Sequence, residues 1–142
     1  MDITEEVIYH LSKNIKTKIA VSNINGVGVF AIRDINEGED VFPLWEYDSG
    51  IYIIPNSRLD SIPTEVLKLL DMYFINDECD FKLIRLYKGF NFLFHGFSFC
   101  NSAWPNEENT NITNNGIALR DIKAGEEILE WYVENLNLVN SK

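Results

Sequence analysis

Ala31-Ile-Arg-Asp-Ile-Asn-Glu-Gly-Glu-Asp-Val41 and Ala118-Leu-Arg-Asp-Ile-Lys-Ala-Gly-Glu-Glu-Ile128 are one eleven-residue pattern written twice, 87 positions apart. Six positions are identical: Ala31/Ala118, Arg33/Arg120, Asp34/Asp121, Ile35/Ile122, Gly38/Gly125 and Glu39/Glu126. Each copy reads as a short apolar strand, a turn closed by glycine, and a second strand. The glycine stands where a hairpin needs a residue with positive φ, a conformation that other residues reach only against steric cost. Two such hairpins predict a pseudo-symmetric β fold closed by its two ends. Two copies at so long a period are not a solenoid. Chance reuse of a common hairpin sequence is the alternative, and the flanks of the copies decide between them.

At 142 residues the chain is long enough for one domain with a real core. Apolar residues make up 46% and charged residues 24%, which is a globular balance and not a disordered one. With 22 acids against 12 bases the net charge is −10, the wrong sign for a phosphate-binding partner. An acidic surface favours Lys- or Arg-rich segments of other proteins, although the charge also serves solubility alone. Cys79 and Cys100 are the only cysteines, and with two histidines and no CxxC they argue against a zinc site or a disulfide framework. No metal is expected, and His95 and Cys79 read as structural. The acidic start Met1-Asp2-Ile3-Thr4-Glu5-Glu6 is not a signal peptide, and no apolar run approaches a membrane span. The cytoplasm or the nucleus, including those of a host cell, is the expected compartment.

Apolar residues at 3, 7, 8, 11 and 15 predict a helix over 2–15, with Asp2 and Glu5 placed like a capping box. Residues 17–33 and 39–54 are rich in Val, Ile, Phe and Tyr and read as strands. Pro63 opens a second helix over about 63–75, since proline is tolerated in a first turn. Residues 81–100 are aromatic and broken by Gly89 and Gly96, as in short buried strands or coil, with the phenylalanines reading as core. The asparagine-rich stretch 106–115 reads as an exposed loop, and Asn111-Ile112-Thr113 within it fits a glycosylation sequon.

Before the first copy stands Asn25-Gly26-Val27-Gly28-Val29-Phe30. A lone Gly-x-Gly is weak, and no dinucleotide fingerprint follows it, since what comes next reads as strand. The two glycines fit either a close approach of backbone to a ligand or simply a bulge or tight turn. Before the second copy stands Phe97-Ser-Phe-Cys-Asn-Ser-Ala-Trp-Pro-Asn106, and its turn leads into Gly125-Glu-Glu-Ile-Leu-Glu-Trp-Tyr132. The order Gly-x-Gly-Val-Phe-Ala, Ser-x-x-Pro-Asn and Asp-Ile-x-x-Gly-Glu-Glu-Ile-x-x-x-Tyr resembles a SET domain, the fold of most protein-lysine methyltransferases. The likeness covers 19–48 and 92–132. No single motif is specific, but the three in this order form a strong signal.

The resemblance implies a mainly β fold with short helices, a β-clip of small curved sheets with a pseudoknot-like C-terminus. It divides a single domain into an N-terminal part (17–48), a variable insert (49–91), a C-terminal part (92–132) and a tail (133–142). It implies lysine methylation from S-adenosylmethionine, on a basic protein or peptide that could be a histone. The rival reading is a SET-like module that binds basic peptides or the cofactor without turnover. Asn25, Gly26, Val27 and Gly28 would line the cofactor, together with Cys100, Asn101 and Tyr132. Tyr132 would be the active-site tyrosine, and Tyr73 and Trp131 would border the substrate channel. Tyr73 also reads as a tyrosine on the buried face of the second helix. A tyrosine suits the catalytic place because its hydroxyl can orient an amine while its ring faces a cation.

One segment departs from the family pattern. Where Asn-His-Ser-Cys-x-Pro-Asn is usual, this chain has Cys100-Asn101-Ser102-Ala103-Trp104-Pro105-Asn106. In the ungapped register, which we prefer, Cys100 replaces the cofactor-contacting asparagine and Asn101 the histidine. Sliding by one residue returns Asn101 to the asparagine place but loses register with Pro105 and Asn106. Backbone contacts to a cofactor survive either way, and the departure makes cofactor affinity the quantity to measure.

Overall fold

The computed structural model describes residues 2–74, 80–92 and 97–131. The chain divides into two compact units, one of residues 1–15 and 42–94 and the other of 16–41 and 95–142. Strands and small sheets dominate, with short helices between them, as the family resemblance implies.

The first unit opens with helix α1 (Ile3–Tyr9), which continues into a wider π turn over His10–Asn14. Asp2 caps it by accepting the Glu5 N–H at 2.8 Å. The Glu5 carboxylate does not close the predicted box but stands 4.0 Å from Arg58. Val7, Leu11 and Ile15, spaced by four, are fully buried. Strand β3 (Gly50–Pro55) pairs antiparallel with β4 (Phe81–Leu86), with helix α2 (Thr64–Tyr73) between them in the chain. Pro63 stands at the N-cap of α2, which buries Val66, Leu69 and Leu70. The buried Asn91 amide donates to the carbonyls of Asn14 and Pro43, and its own carbonyl lies 2.8 Å from His10 Nε2. Burial lowers the His10 pKa, against a smaller opposing effect of that backbone hydrogen bond.

Of the predicted strand over 39–54 only 50–54 is regular strand, in a strand that runs on to Pro55. Pro43 has no N–H to give a ladder. Beyond it the Trp45 backbone bonds singly, to Phe90 O at 2.7 Å and from Gly89 N at 2.9 Å. Trp45 itself is core, 2% exposed.

The second unit holds β1 (Thr17–Val21), β2 (Val27–Ala31), β5 (Asn101–Ser102) and β6 (Glu127–Glu130), in the sheet order β1-β2-β6-β5. The two repeat copies meet in this unit, and neither is a hairpin on its own. Their strands pair across copies instead of within them. Ile35 and Ile122 form an antiparallel bridge, each N–H donating to the other's carbonyl, at 2.8 and 2.7 Å. Gly38 N donates to Ala118 O, and the equivalent Gly125 N donates to Ala31 O. Asp34 accepts the Ala124 N–H and Asp121 accepts the Glu37 N–H, both at 2.9 Å. The turn glycines have φ of +87° and +94°, as a positive-φ turn requires. The conserved spacing thus encodes a local pseudo-two-fold, with Ala31, Ile35, Ala118 and Ile122 in its core.

The stretch 106–115 is not wholly an exposed loop. Asn111 is 1% exposed and Ile112 2%. The Asn111 side chain donates to Glu127 O and accepts from Leu129 N, both at 2.8 Å, so it caps the inner edge of β6. A buried asparagine held on both sides of its amide is no glycosylation acceptor.

Candidate functional site

The β1-β2-β6-β5 order carries the three motifs onto one sheet. The Gly-x-Gly segment leads into β2, which pairs with β6 through Val29↔Ile128 and Phe30↔Glu127. The Asn101 segment runs parallel to β6 on its other side, Asn101 opposite Leu129 and Ser102 opposite Glu130. Strand β6 also leads into Trp131 and Tyr132, so segments about 75 and 100 residues apart in the chain become neighbours.

The loop between β1 and β2 is closed by Ser22. Its N–H donates to Gly26 O at 2.9 Å, and its hydroxyl accepts the Ile24 N–H at 2.9 Å. Gly26 has φ of +50°, and a Cβ there would meet no atom within 4 Å. The backbone at Gly26 is therefore open to an approaching ligand. Gly28 differs. A Cβ there would lie 2.3 Å from Glu127 Oε2 and 3.1 Å from Asn101 Nδ2. Its space is taken by the protein's own side chains.

Asn101, 9% exposed, gathers the segment through its amide nitrogen. That nitrogen lies 3.1 Å from Asn25 O, 3.2 Å from Val27 O and 2.8 Å from Glu127 Oε2. Its two N–H groups are thus committed within the protein. The Asn101 amide stands against the Gly-x-Gly segment, and Cys100 is 1% exposed. Burial, reinforced by the nearby charges of Glu130 and Glu127, pushes the Cys100 thiol far up, so it is no thiolate nucleophile.

Asn25, Gly26, Val27, Gly28 and Asn101 are therefore brought together, with Cys100 beside them. Trp131 follows β6 and lines a groove of about 520 Å³ with Glu107, Glu108, Thr110, Ile112 and Leu119. Glu130, just before it, is half-buried and its carboxyl is raised by burial. Tyr73 belongs to the other unit, at the end of α2. It is 37% exposed, stands edge-on to Phe92 at 6.2 Å, and has its hydroxyl pKa raised by burial. Tyr132, Cys79 and His95 lie outside the described residues. No group of three or more metal-ligating side chains occurs among the described residues. No described helix is long and apolar enough to cross a membrane.

Ser22, Glu127 and Asn111 organise this site, and none of the three is among the site residues that the sequence implies. Glu127 lies within the quoted Gly-Glu-Glu motif, where alternation along a strand gives no sign that its carboxylate turns inward. The glycine at 28 was the available signal, because it marks a place where another side chain comes close.

The family model of the SET domain matches residues 26–133, and the chain belongs to that family. SET domains are in general protein-lysine methyltransferases that use S-adenosylmethionine. Among solved structures, the chain is similar to a Plasmodium falciparum protein named as a candidate histone methyltransferase. The two are 21% identical, with 82% of this chain and 92% of that one covered at a TM-score of 0.37. No curated protein matches.

Proposed function

We propose that this chain is an S-adenosylmethionine-dependent protein-lysine N-methyltransferase acting on a basic protein or peptide, with a histone as one such substrate. The observation that carries the reading is the meeting of the Gly-x-Gly segment, the Asn101 segment and β6 on one sheet. The proposal treats residues 17–48 and 92–132 as the two parts of one domain, 49–91 as its insert and 133–142 as a tail.

Bound S-adenosylmethionine would supply an electrophilic methyl group on a sulfonium sulfur. Asn25 to Gly28, with the backbone of Cys100 and Asn101, would hold it, the open backbone at Gly26 giving close approach. The substrate amine must lose its proton before it can attack, and free lysine titrates near pKa ~10.4. Removal from water in an apolar substrate channel beside Trp131 would lower that value by desolvation. Tyr132 would orient the neutral amine through its hydroxyl, so that fixed geometry lowers the barrier. The net charge of −10 favours encounter with basic segments.

The rival reading, a module that binds without turnover, draws on the committed Asn101 amide. Both of its N–H groups serve the protein, which leaves neither to donate to a ligand. Titration calorimetry with S-adenosylhomocysteine, followed by tritium transfer from labelled S-adenosylmethionine into mixed histones and host lysate, separates the two. Binding with transfer is expected. Binding without transfer across many basic substrates would favour the module, and no binding at millimolar ligand would remove the cofactor altogether.

A further inference from the structure

We propose that Glu127 is a positioning residue, which clamps the Gly-x-Gly segment from β6 and thereby requires glycine at position 28. The consequence for cofactor affinity rests on the function proposed above; the clamp itself does not. Glu127 lies opposite Phe30 in the β2–β6 ladder, and Gly28 is two residues before Phe30 on the same face of the strand. A long side chain at 127 therefore reaches over position 28. Its carboxylate accepts the Ser22 hydroxyl at 2.8 and 2.9 Å to its two oxygens, and the Asn101 amide at 2.8 Å. Hydrogen bonds to an ionised acceptor are the stronger kind, and an ionised carboxylate has room for several.

The partners stand on the two sides of the segment being held. Ser22 closes the β1–β2 loop through its N–H on Gly26 O, and Asn101 reaches Asn25 O and Val27 O from β5. Through Ser22 and Asn101, one carboxylate thus ties the carbonyls of Asn25, Gly26 and Val27 to β6. Any Cβ at 28 would occupy the place of that carboxylate, at 2.3 Å from Oε2 and 2.9 Å from Cδ. The end of a glutamate side chain could swing away from such a contact, but only by giving up Ser22 and Asn101. Glycine at 26 leaves the backbone open, whereas glycine at 28 leaves room for the clamp.

The test is a double-mutant cycle of Gly28→Ala and Glu127→Ala, read by thermal unfolding. In the wild-type background Gly28→Ala should lower Tm by about 5 °C, and in the Glu127→Ala background by less than about 2 °C. Equal losses in both backgrounds would overturn the clamp. If Glu127→Ala fails to fold, Ser22→Ala replaces it, with the same direction of coupling expected at smaller amplitude. The second readout is Glu127→Gln, which keeps the shape but sets an amide against the Asn101 amide. It should weaken S-adenosylhomocysteine binding by about tenfold and raise the cofactor KM similarly, while kcat at saturating cofactor stays within about threefold. Unchanged cofactor affinity beside normal wild-type binding would show that Glu127 does not position the cofactor segment. Failure of the wild type to bind would instead overturn the cofactor reading, and the thermal cycle would still judge the clamp.

Discussion

The two repeat copies share a backbone but not a fate. Copy 31–41 and copy 118–128 exchange the same hydrogen bonds: Gly38 N donates to Ala118 O and Gly125 N to Ala31 O, and the Asp34 and Asp121 carboxylates each accept an N–H of the opposite turn. Their side-chain partners differ. Glu39 meets Lys16, whose side chain is only 9% exposed and also donates to Asp40 O, whereas Glu126 meets Arg120 at 46% exposure. Their exits differ more. After Val41 the chain passes to Phe42 and Trp45 in the other compact unit, while Ile128 continues β6 toward Trp131 and Tyr132. The symmetric residues build the frame, and the proposed chemistry falls on residues just outside the symmetry.

The largest expected effect contrasts Tyr132 with its equivalent 87 positions earlier, the buried Trp45. Tyr132→Phe should reduce methyl transfer by about a hundredfold or more, with a change in stability of about 1 kcal/mol. Trp45→Ala should instead cost about 3–5 kcal/mol of stability. Tritium transfer and denaturant unfolding on both variants measure the pair. A fully active Tyr132→Phe would remove the asymmetry of function.

The next effect tests the symmetry itself. Ile35 and Ile122, each 0% exposed, bridge each other. Ile35→Ala and Ile122→Ala should each cost about 2–5 kcal/mol, nearly equal to one another, and the double variant should be non-additive. Clearly unequal losses in urea unfolding would show that the pseudo-two-fold is only a matter of hydrogen bonds.

A smaller effect should separate the copies. Lys16→Met leaves Glu39 beside a buried site and should cost about 2 kcal/mol, whereas Arg120→Met should stay within about 0.5 kcal/mol, as exposed pairs do. Equal values would mean that the Lys16 pair is no more than a surface contact.

The smallest is a pH dependence of the first copy. Burial acts to raise the Glu39 carboxyl. The hydrogen bonds from Lys16 and the Asn36 N–H, with the charges of Lys16 and Arg33, outweigh it and hold the pKa below the usual value. A depressed carboxyl contributes stability above its unfolded pKa, and that contribution is lost as pH falls through the folded value. Glu39→Gln should therefore flatten the acid limb of the stability curve over roughly pH 3 to 5. An unchanged limb would assign acid sensitivity elsewhere.

Sequence by itself determined the repeat, both helices, the positive-φ turns and the family, because each rests on local spacing or on motif order. Asp2 as a cap, Pro63 at a helix start and Gly38 with Gly125 at turns are decisions taken within a few residues of chain. Only the tertiary structure decided that the repeat strands pair across copies, since nothing in either copy distinguishes its own partner from the other's. It also decided that Asn111 is buried against β6 and that Glu127 fills the space over Gly28. Those facts depend on side chains from distant segments meeting at hydrogen-bond distance, and a polar residue carries no mark of whether its partner will be water or a strand folded beside it.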